Sequence, residues 1–281
     1  MGLFDVNDSL ALRLATEGPV KTLKTSRRIR ILFNGVYIAD TTDAVLVWEH
    51  PYFPQYYLPP YVLAQLEKNG QVEKGSAVKN DKGEIVATML RLKVGEKACD
   101  SAFVFAYEHD HLSEKAKDLA GLVKIEFGAM DQWFEEDGPI FVHPKDPFKR
   151  VDILPSSRAI RVAVGGKVVA ESPTAMHLYE TGLPVRYYVP LTSLDPSVLR
   201  PSDTRTRCPY KGEAEYYSVV VDGKEFKDIV WFYNRPTLES AQVSGLCCFY
   251  NEKVEIWLQN PGGPGSKEEW EKLEQPKTHF G

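Results

Sequence analysis

Short apolar runs separated by turn residues recur along this chain, and they recur in the same order twice. Residues 31–33 and 36–39 are apolar on either side of Asn34-Gly35. Such a pattern predicts a β-hairpin, because a type I′ turn needs positive φ at both central residues. A third strand is predicted over residues 45–49. A fourth, over residues 56–58, is stopped by Pro59. The series returns with Gly165-Gly166 in the turn, strands over residues 176–180 and 187–189, and Pro190 as the stop. Residues 30–59 align without a gap on residues 161–190, with 8 of 30 positions identical. Chance gives roughly two at average composition.

The repeat resumes after an indel. Residues 103–107 lie on 229–233, Gly121-Leu122 on Gly245-Leu246, and Trp133 on Trp257. On this alignment Phe105 stands for Trp231. Asp222-Gly223 predicts another hairpin turn, residues 237–244 a short helix matching residues 112–120, and residues 247–250 and 254–258 closing strands. The expected fold class is mainly β, two tandem antiparallel β units, each with one or two short helices packed to one side. The expected division is 1–27 as an N-terminal extension with a short helix at residues 10–15, 28–137 as a first, diverged repeat, and 138–157 as a joint. Residues 158–260 follow as the second repeat and 261–281 as a C-terminal tail that starts with the turn-rich Gly262-Gly263-Pro264-Gly265. No glycine-rich loop joins a strand to a helix, so neither a dinucleotide fold nor a P-loop is indicated.

Composition narrows the function. A net charge of −5 with 43% hydrophobic and 26% charged residues describes an ordinary water-soluble chain. Nucleic acid is not an expected partner, since phosphate contacts need clustered Lys and Arg. The one basic run, residues 21–30, reads as a solvated approach to a strand. No run of about 18 apolar residues predicts a membrane span, and no signal-peptide core is present at the N-terminus. Cys99, Cys208, Cys247 and Cys248 have no CxxC spacing, which argues against structural zinc and a disulfide scaffold. Cytoplasmic localisation is the expectation, with no metal and no cofactor.

The densest polar cluster runs from Glu180 to Tyr216. At its centre Thr204, Thr206, Cys208, Pro209, Tyr210, Lys211 and Gly212 gather hydroxyl, thiol, phenol and ammonium groups. Glu180 suits a general base, Lys211 and Arg186 suit anion or oxyanion stabilisers, and Tyr210 or Tyr216 a proton donor. Tyr188, Thr204, Thr206, Cys208 and Trp231 complete the candidate substrate-binding set. Each also has a plainer explanation. A strand-end Glu is more often a surface residue, and a lone Cys in a β loop is more often inert. Alternation puts Tyr187 and Tyr188 on opposite faces, so one of them belongs to a core. Trp231 and Trp257 fit as core aromatics, and His109-Asp110-His111 as a surface turn rather than a metal pair.

The run from Arg205 to Tyr216, with Glu180-Thr181-Gly182-Leu183-Pro184, Arg186-Tyr187-Tyr188-Val189-Pro190 and Trp231-Phe232-Tyr233 around it, resembles the DUF427 family, a domain of unknown function. The resemblance implies a tent-like, mostly β fold, and some catalogues label the family nucleotidyltransferase-like. It carries no catalytic assignment. The first copy departs from the pattern where Cys208 to Gly212 should fall, reading Gly75 to Glu84 instead, and so looks like a scaffold copy. These observations point to a small-molecule enzyme in the second repeat, using metal-independent acid/base chemistry of isomerase, lyase or cyclase type. Its alternatives are a non-catalytic ligand-binding or sensing module and a nucleotidyltransferase-like activity. A monomer with its repeats packed together is expected, its partner a small-molecule ligand or substrate.

Overall fold

The computed structural model describes residues 3–260 and 269–276. It divides into two compact units, Met1–Asp146 and Pro147–Gly281. The first opens with helix α1 (Leu3–Glu17), followed by β1 (Lys21–Lys24), β2 (Ile29–Phe33), β3 (Val36–Thr41), β4 (Val45–Trp48) and β5 (Gln55–Leu58). Helix α2 (Pro60–Lys68) leads to β6 (Val72–Lys79), β7 (Ile85–Val94), β8 (Lys97–Phe105), β9 (Val123–Ile125), β10 (Gln132–Glu135) and β11 (Gly138–Ile140). The second unit holds β12 (Val151–Ser156), β13 (Ile160–Val164), β14 (Lys167–Ser172), β15 (Ala175–Glu180), β16 (Arg186–Pro190) and β17 (Leu199–Cys208). It continues with β18 (Gly212–Val221), β19 (Lys224–Phe232), β20 (Leu246–Phe249), β21 (Glu255–Asn260) and β22 (Glu269–Lys272).

The two units repeat one topology strand for strand. Each has a seven-stranded antiparallel sheet, ordered β1-β4-β5-β9-β8-β7-β6 in the first and β12-β15-β16-β20-β19-β18-β17 in the second. Each also has a four-stranded sheet, β11-β10-β2-β3 and β14-β13-β21-β22. The hairpin turns form for the expected reason. Asn34 and Gly35 have φ of 47° and 75°, and Asp222 and Gly223 have 49° and 77°, the left-handed values a type I′ turn requires.

Alternation then sorts the side chains. Ile29, Ile31 and Phe33 of β2 face the large sheet and join Leu46, Leu58, Val104 and Trp133 in one core. Ile160, Val162 and Val164 do the same in the second unit, with Val189, Val230, Cys247 and Phe249. The far face of each large sheet carries a second cluster. In the first unit it holds Tyr57, Met89, Phe103 and Phe105 beneath Ala11, Leu14 and Ala15 of α1. In the second it holds Leu178, Tyr188, Tyr216, Trp231, Tyr233, Val243 and Cys248, and no helix precedes β12.

Several expectations shift. The N-terminal helix spans 15 residues, not six, and β1 behind it pairs with β4. Residues 3–27 are therefore built into the first unit. The expected joint is divided, since β11 pairs with β10 and β12 with β15. β22 lies inside the expected tail and pairs with β21, while residues 262–265 fall outside the described residues. Such edge strands (Gly138-Pro139-Ile140, Glu269-Trp270-Glu271-Lys272) have no apolar alternation to announce them. Helix α2 was not foreseen. It starts at Pro60, where proline suits the first turn, and buries Val62, Leu63 and Leu66. The predicted short helices near residues 112–120 and 237–244 are 3-10 turns, Glu114–Leu119 and Leu238–Val243. Trp257 is half-buried beneath the Lys272 ammonium rather than in the core. No helix among the described residues is long and apolar enough to cross a membrane.

Candidate functional site

The site is built on one row of side chains across the far face of the second large sheet. Met176, Tyr188, Cys248, Trp231 and Tyr216 are successive partners on β15, β16, β20, β19 and β18. Partners in register share a face. The matching row of the first unit is Val45, Tyr57, Lys124, Phe103 and Met89. Phe103, not Phe105, therefore occupies the place of Trp231. The sequence alignment is off by two residues there, a slip that keeps the same face and so leaves the apolar pattern intact.

Trp231 donates its indole N–H to the Tyr188 hydroxyl at 3.0 Å. Both side chains are buried, and each satisfies the other's polar group. Beside them a chain of hydroxyls runs outward, with Thr206 Oγ1 2.7 Å from Tyr216 Oη and Tyr216 Oη 3.5 Å from Tyr250 Oη. Trp231 and Tyr250 pack with ring centroids 4.5 Å apart. Thr206 is exposed and Tyr250 half-buried, so the chain ends at solvent. Burial pushes the phenols of Tyr188, Tyr233 and Tyr250 well above their ordinary value. They stay protonated at neutral pH.

Glu180 and Lys211 meet over this face at 2.5 Å, with side chains only 7% and 12% exposed. Lys211 sits in the tight connection between β17 and β18. That connection is fastened to the 3-10 turn Leu238–Val243, because the Tyr210 carbonyl accepts from Thr237 Oγ1 and from Ser240 Oγ. Gly212 closes it with φ +102°, where a Cβ would stand 3.1 Å from the Arg235 carbonyl oxygen, so any side chain there is strained. Arg186 grips Glu252 through two hydrogen bonds of 2.8 and 2.7 Å, and its guanidinium lies 5.5 Å over the Trp231 ring. Burial opposes charge on both partners, but their pairing outweighs it. The Arg186 pKa is raised and the Glu252 pKa lowered.

The sequence-predicted residues thus separate into groups. Glu180 and Lys211 touch each other, Thr206 touches Tyr216, and Tyr188 touches Trp231. Buried Tyr233 shares one apolar cluster with Tyr188, Tyr216 and Trp231, and burial, then the nearby Cys208, Tyr216, Cys248 and Glu180, raise its phenol pKa. Arg186 is engaged by Glu252. Thr204 belongs elsewhere, donating to Asp228 at 2.7 Å. Tyr210 is buried at the hairpin tip. Cys208 is a half-buried free thiol opposite Gly212. Burial pushes the Cys247 thiol to about 12 and that of Cys248 higher still, so neither is a nucleophile. Sequence reasoning missed Tyr233, Tyr250 and Glu252. The first two lay within stretches read as pattern, and Glu252 follows β20 with no motif of its own. His109 and Asp110 are exposed in a 3-10 turn. No group of three metal-ligating side chains occurs among the described residues.

The first unit is not an empty scaffold. Glu49, the counterpart of Glu180, is bound by Lys124 at 3.3 Å and by the Tyr57 hydroxyl at 2.9 Å. Lys124 also meets Glu126 at 2.9 Å, and its side chain is only 4% exposed. Withdrawing an ammonium from water costs several kcal/mol, and the two carboxylates offset part of it. Lys124 occupies the position of Cys248, and Glu126 that of Tyr250. Both units therefore pair the same strand-end glutamate with a lysine, but from different strands. Above this cluster α1 lies against β6, β7 and β8, and Arg13 donates to the Glu49 carbonyl at 3.0 Å.

These features define a tandem two-sheet β protein with a charge-balanced, hydroxyl-rich site in its second unit. The family model described as a domain of unknown function, DUF427, matches residues 21–136 and 152–260, and the chain belongs to that family. No curated protein matches the chain.

Proposed function

We propose that the second unit is a small-molecule enzyme working by acid/base chemistry of isomerase, lyase or cyclase type. The observation that carries this reading is the buried Glu180–Lys211 pair in the same unit as the Thr206–Tyr216–Tyr250 hydroxyl chain. A carboxylate is a proton acceptor, and a tyrosine hydroxyl is a proton donor. Glu180 takes a proton from the substrate, Lys211 balances the charge that develops, and Tyr216 with Tyr250 returns a proton. Glu180, Glu252, Lys211 and Arg186 together carry no net charge, which favours an uncharged polar substrate. A triphosphate, as in the nucleotidyltransferase-like alternative, would have to displace a carboxylate from each cation. The closeness of Glu180 and Lys211 is the support for the other alternative, a non-catalytic ligand-binding module. Four free thiols suit a reducing compartment, the cytoplasm.

The test is incubation of purified wild type and Glu180→Gln with a fractionated metabolite extract, followed by mass spectrometry. The expected result is consumption of a neutral metabolite by wild type, slowed about 10²–10⁴-fold in the variant. No consumption, or equal consumption by both proteins, sinks the enzymatic reading. A metabolite retained unchanged supports the binding module.

A further inference from the structure

A second feature of the same face lies apart from the polar cluster. A cleft of about 620 Å³ is lined by Pro155, Met176, Tyr188, Pro190 and Leu246, with Ser156, Ser157, Thr174 and Ala175 completing its wall. No charged side chain takes part. Its size falls within the range of small-molecule sites, which are mainly apolar with a few polar groups at the edge. Along β15 the residues on this face are Met176, Leu178 and Glu180. Leu178 has no exposed surface and lies in one core with Ile153 and Val243, so packed side chains stand between the cleft and Glu180.

The first unit shows what this place looks like when protein fills it. Val45, Tyr57 and Leu122 are the counterparts of Met176, Tyr188 and Leu246. They lie in the core that α1 closes with Ala11, Leu14 and Ala15. Val45 is 8% exposed and Leu122 6%, and Pro59 is buried, whereas Met176, Leu246 and Pro190 are half-buried. The same positions of the same sheet are sealed in one unit and open in the other. Open apolar surface in a concave wall is costly in water, at about 25 cal/mol per Å², and the second unit has no α-helix among its described residues to cover it.

We infer that this cleft is a binding site for an uncharged, mainly apolar small molecule, distinct from the acid/base cluster. The hydroxyls of Ser156, Ser157 and Thr174 allow one or two polar contacts at the rim, and a charged ligand would find no counter-ion. Tyr188 forms part of the wall while its hydroxyl accepts the Trp231 N–H. A bound molecule therefore presses on a residue that also belongs to the polar site. The inference stands independently of the acid/base reading.

The test uses the full-length protein and the uncharged fluorescent probe N-phenyl-1-naphthylamine. Wild type is expected to bind it saturably, with one probe per chain. Met176→Trp, which fills the cleft, should weaken binding about ten-fold or more, and Met176→Ala should retain it. Leu246→Trp serves as a second blocking variant should Met176→Trp prove misfolded by circular dichroism. Glu180→Gln should bind as wild type does. Absence of saturable binding, wild-type affinity in both blocking variants, or equal loss in Glu180→Gln would overturn the assignment. The last outcome would place the probe at the polar cluster.

Discussion

Lys211 meets Glu180 at 2.5 Å although three strands separate β18 from β15 in the sheet. In a flat sheet four steps of about 4.8 Å would hold the two strands roughly 19 Å apart. The contact therefore requires a strongly coiled sheet whose β17–β18 hairpin arches back over its own face. The ion pair joins the tip of that arch to the opposite side.

Breaking one side of this pair leaves a mostly buried charge unmatched. Lys211→Met alone is expected to destabilise the second unit by about 3–5 kcal/mol, and Glu180→Leu with Lys211→Met together by much less. A double-mutant cycle from urea unfolding checks this. Additive losses would show that the two residues do not interact.

The same argument applies to the first unit. Lys124→Ala leaves Glu49 and Glu126 without their ammonium, with an expected loss of about 3–5 kcal/mol. Chemical denaturation that leaves this variant as stable as wild type would contradict the described cluster.

Trp231→Phe keeps the ring but removes the donor to the Tyr188 hydroxyl. An orphaned buried hydroxyl costs about 1–3 kcal/mol. The denaturation midpoint should fall accordingly, and Trp231→Phe with Tyr188→Phe should recover part of the loss.

Gly212→Ala must adopt φ +102° with its Cβ pressed on the Arg235 carbonyl. The expected cost is about 1–3 kcal/mol. Amide exchange should rise at the hairpin tip before it rises in β19 or β20.

His177 is buried, its Nε2 has no hydrogen-bond partner, and burial lowers its pKa. Below about pH 6.5, the ordinary imidazole value, the unfolded chain takes up a proton that the folded chain resists. This contribution to stability is therefore present above that pH and is lost as pH falls through the ordinary value towards the folded one. Urea midpoints at pH 5 and pH 7.5 should differ more in wild type than in His177→Phe.

Much of the fold could be read from local chemistry. Asn34-Gly35, Gly165-Gly166 and Asp222-Gly223 fix three hairpins by backbone geometry alone, and the internal repeat supplied the division into two halves. Edge strands such as β11 and β22 escaped because half-exposed edges carry no apolar alternation. Glu180 and Lys211 could be picked out as reactive types in a distinctive run. That they neutralise each other could not, since they stand 31 positions apart in the chain and on opposite sides of a coiled sheet. Arg186 was visible, but Glu252, which occupies it, was not. Lys124 was passed over because a lone lysine reads as solvated until its neighbours in space are known.

The relocated ammonium bears on how members of this family should be compared. Scored by alignment column, the first unit has lost Lys211 and gained an anomalous lysine in a buried strand. Scored by charge at the strand-end glutamate, nothing has been lost. In this chain the two units are better compared through electrostatic equivalence than through residue identity. A lone-unit relative lacking a lysine at the hairpin should first be searched for one on the strand that carries Lys124 here, before its site is written off.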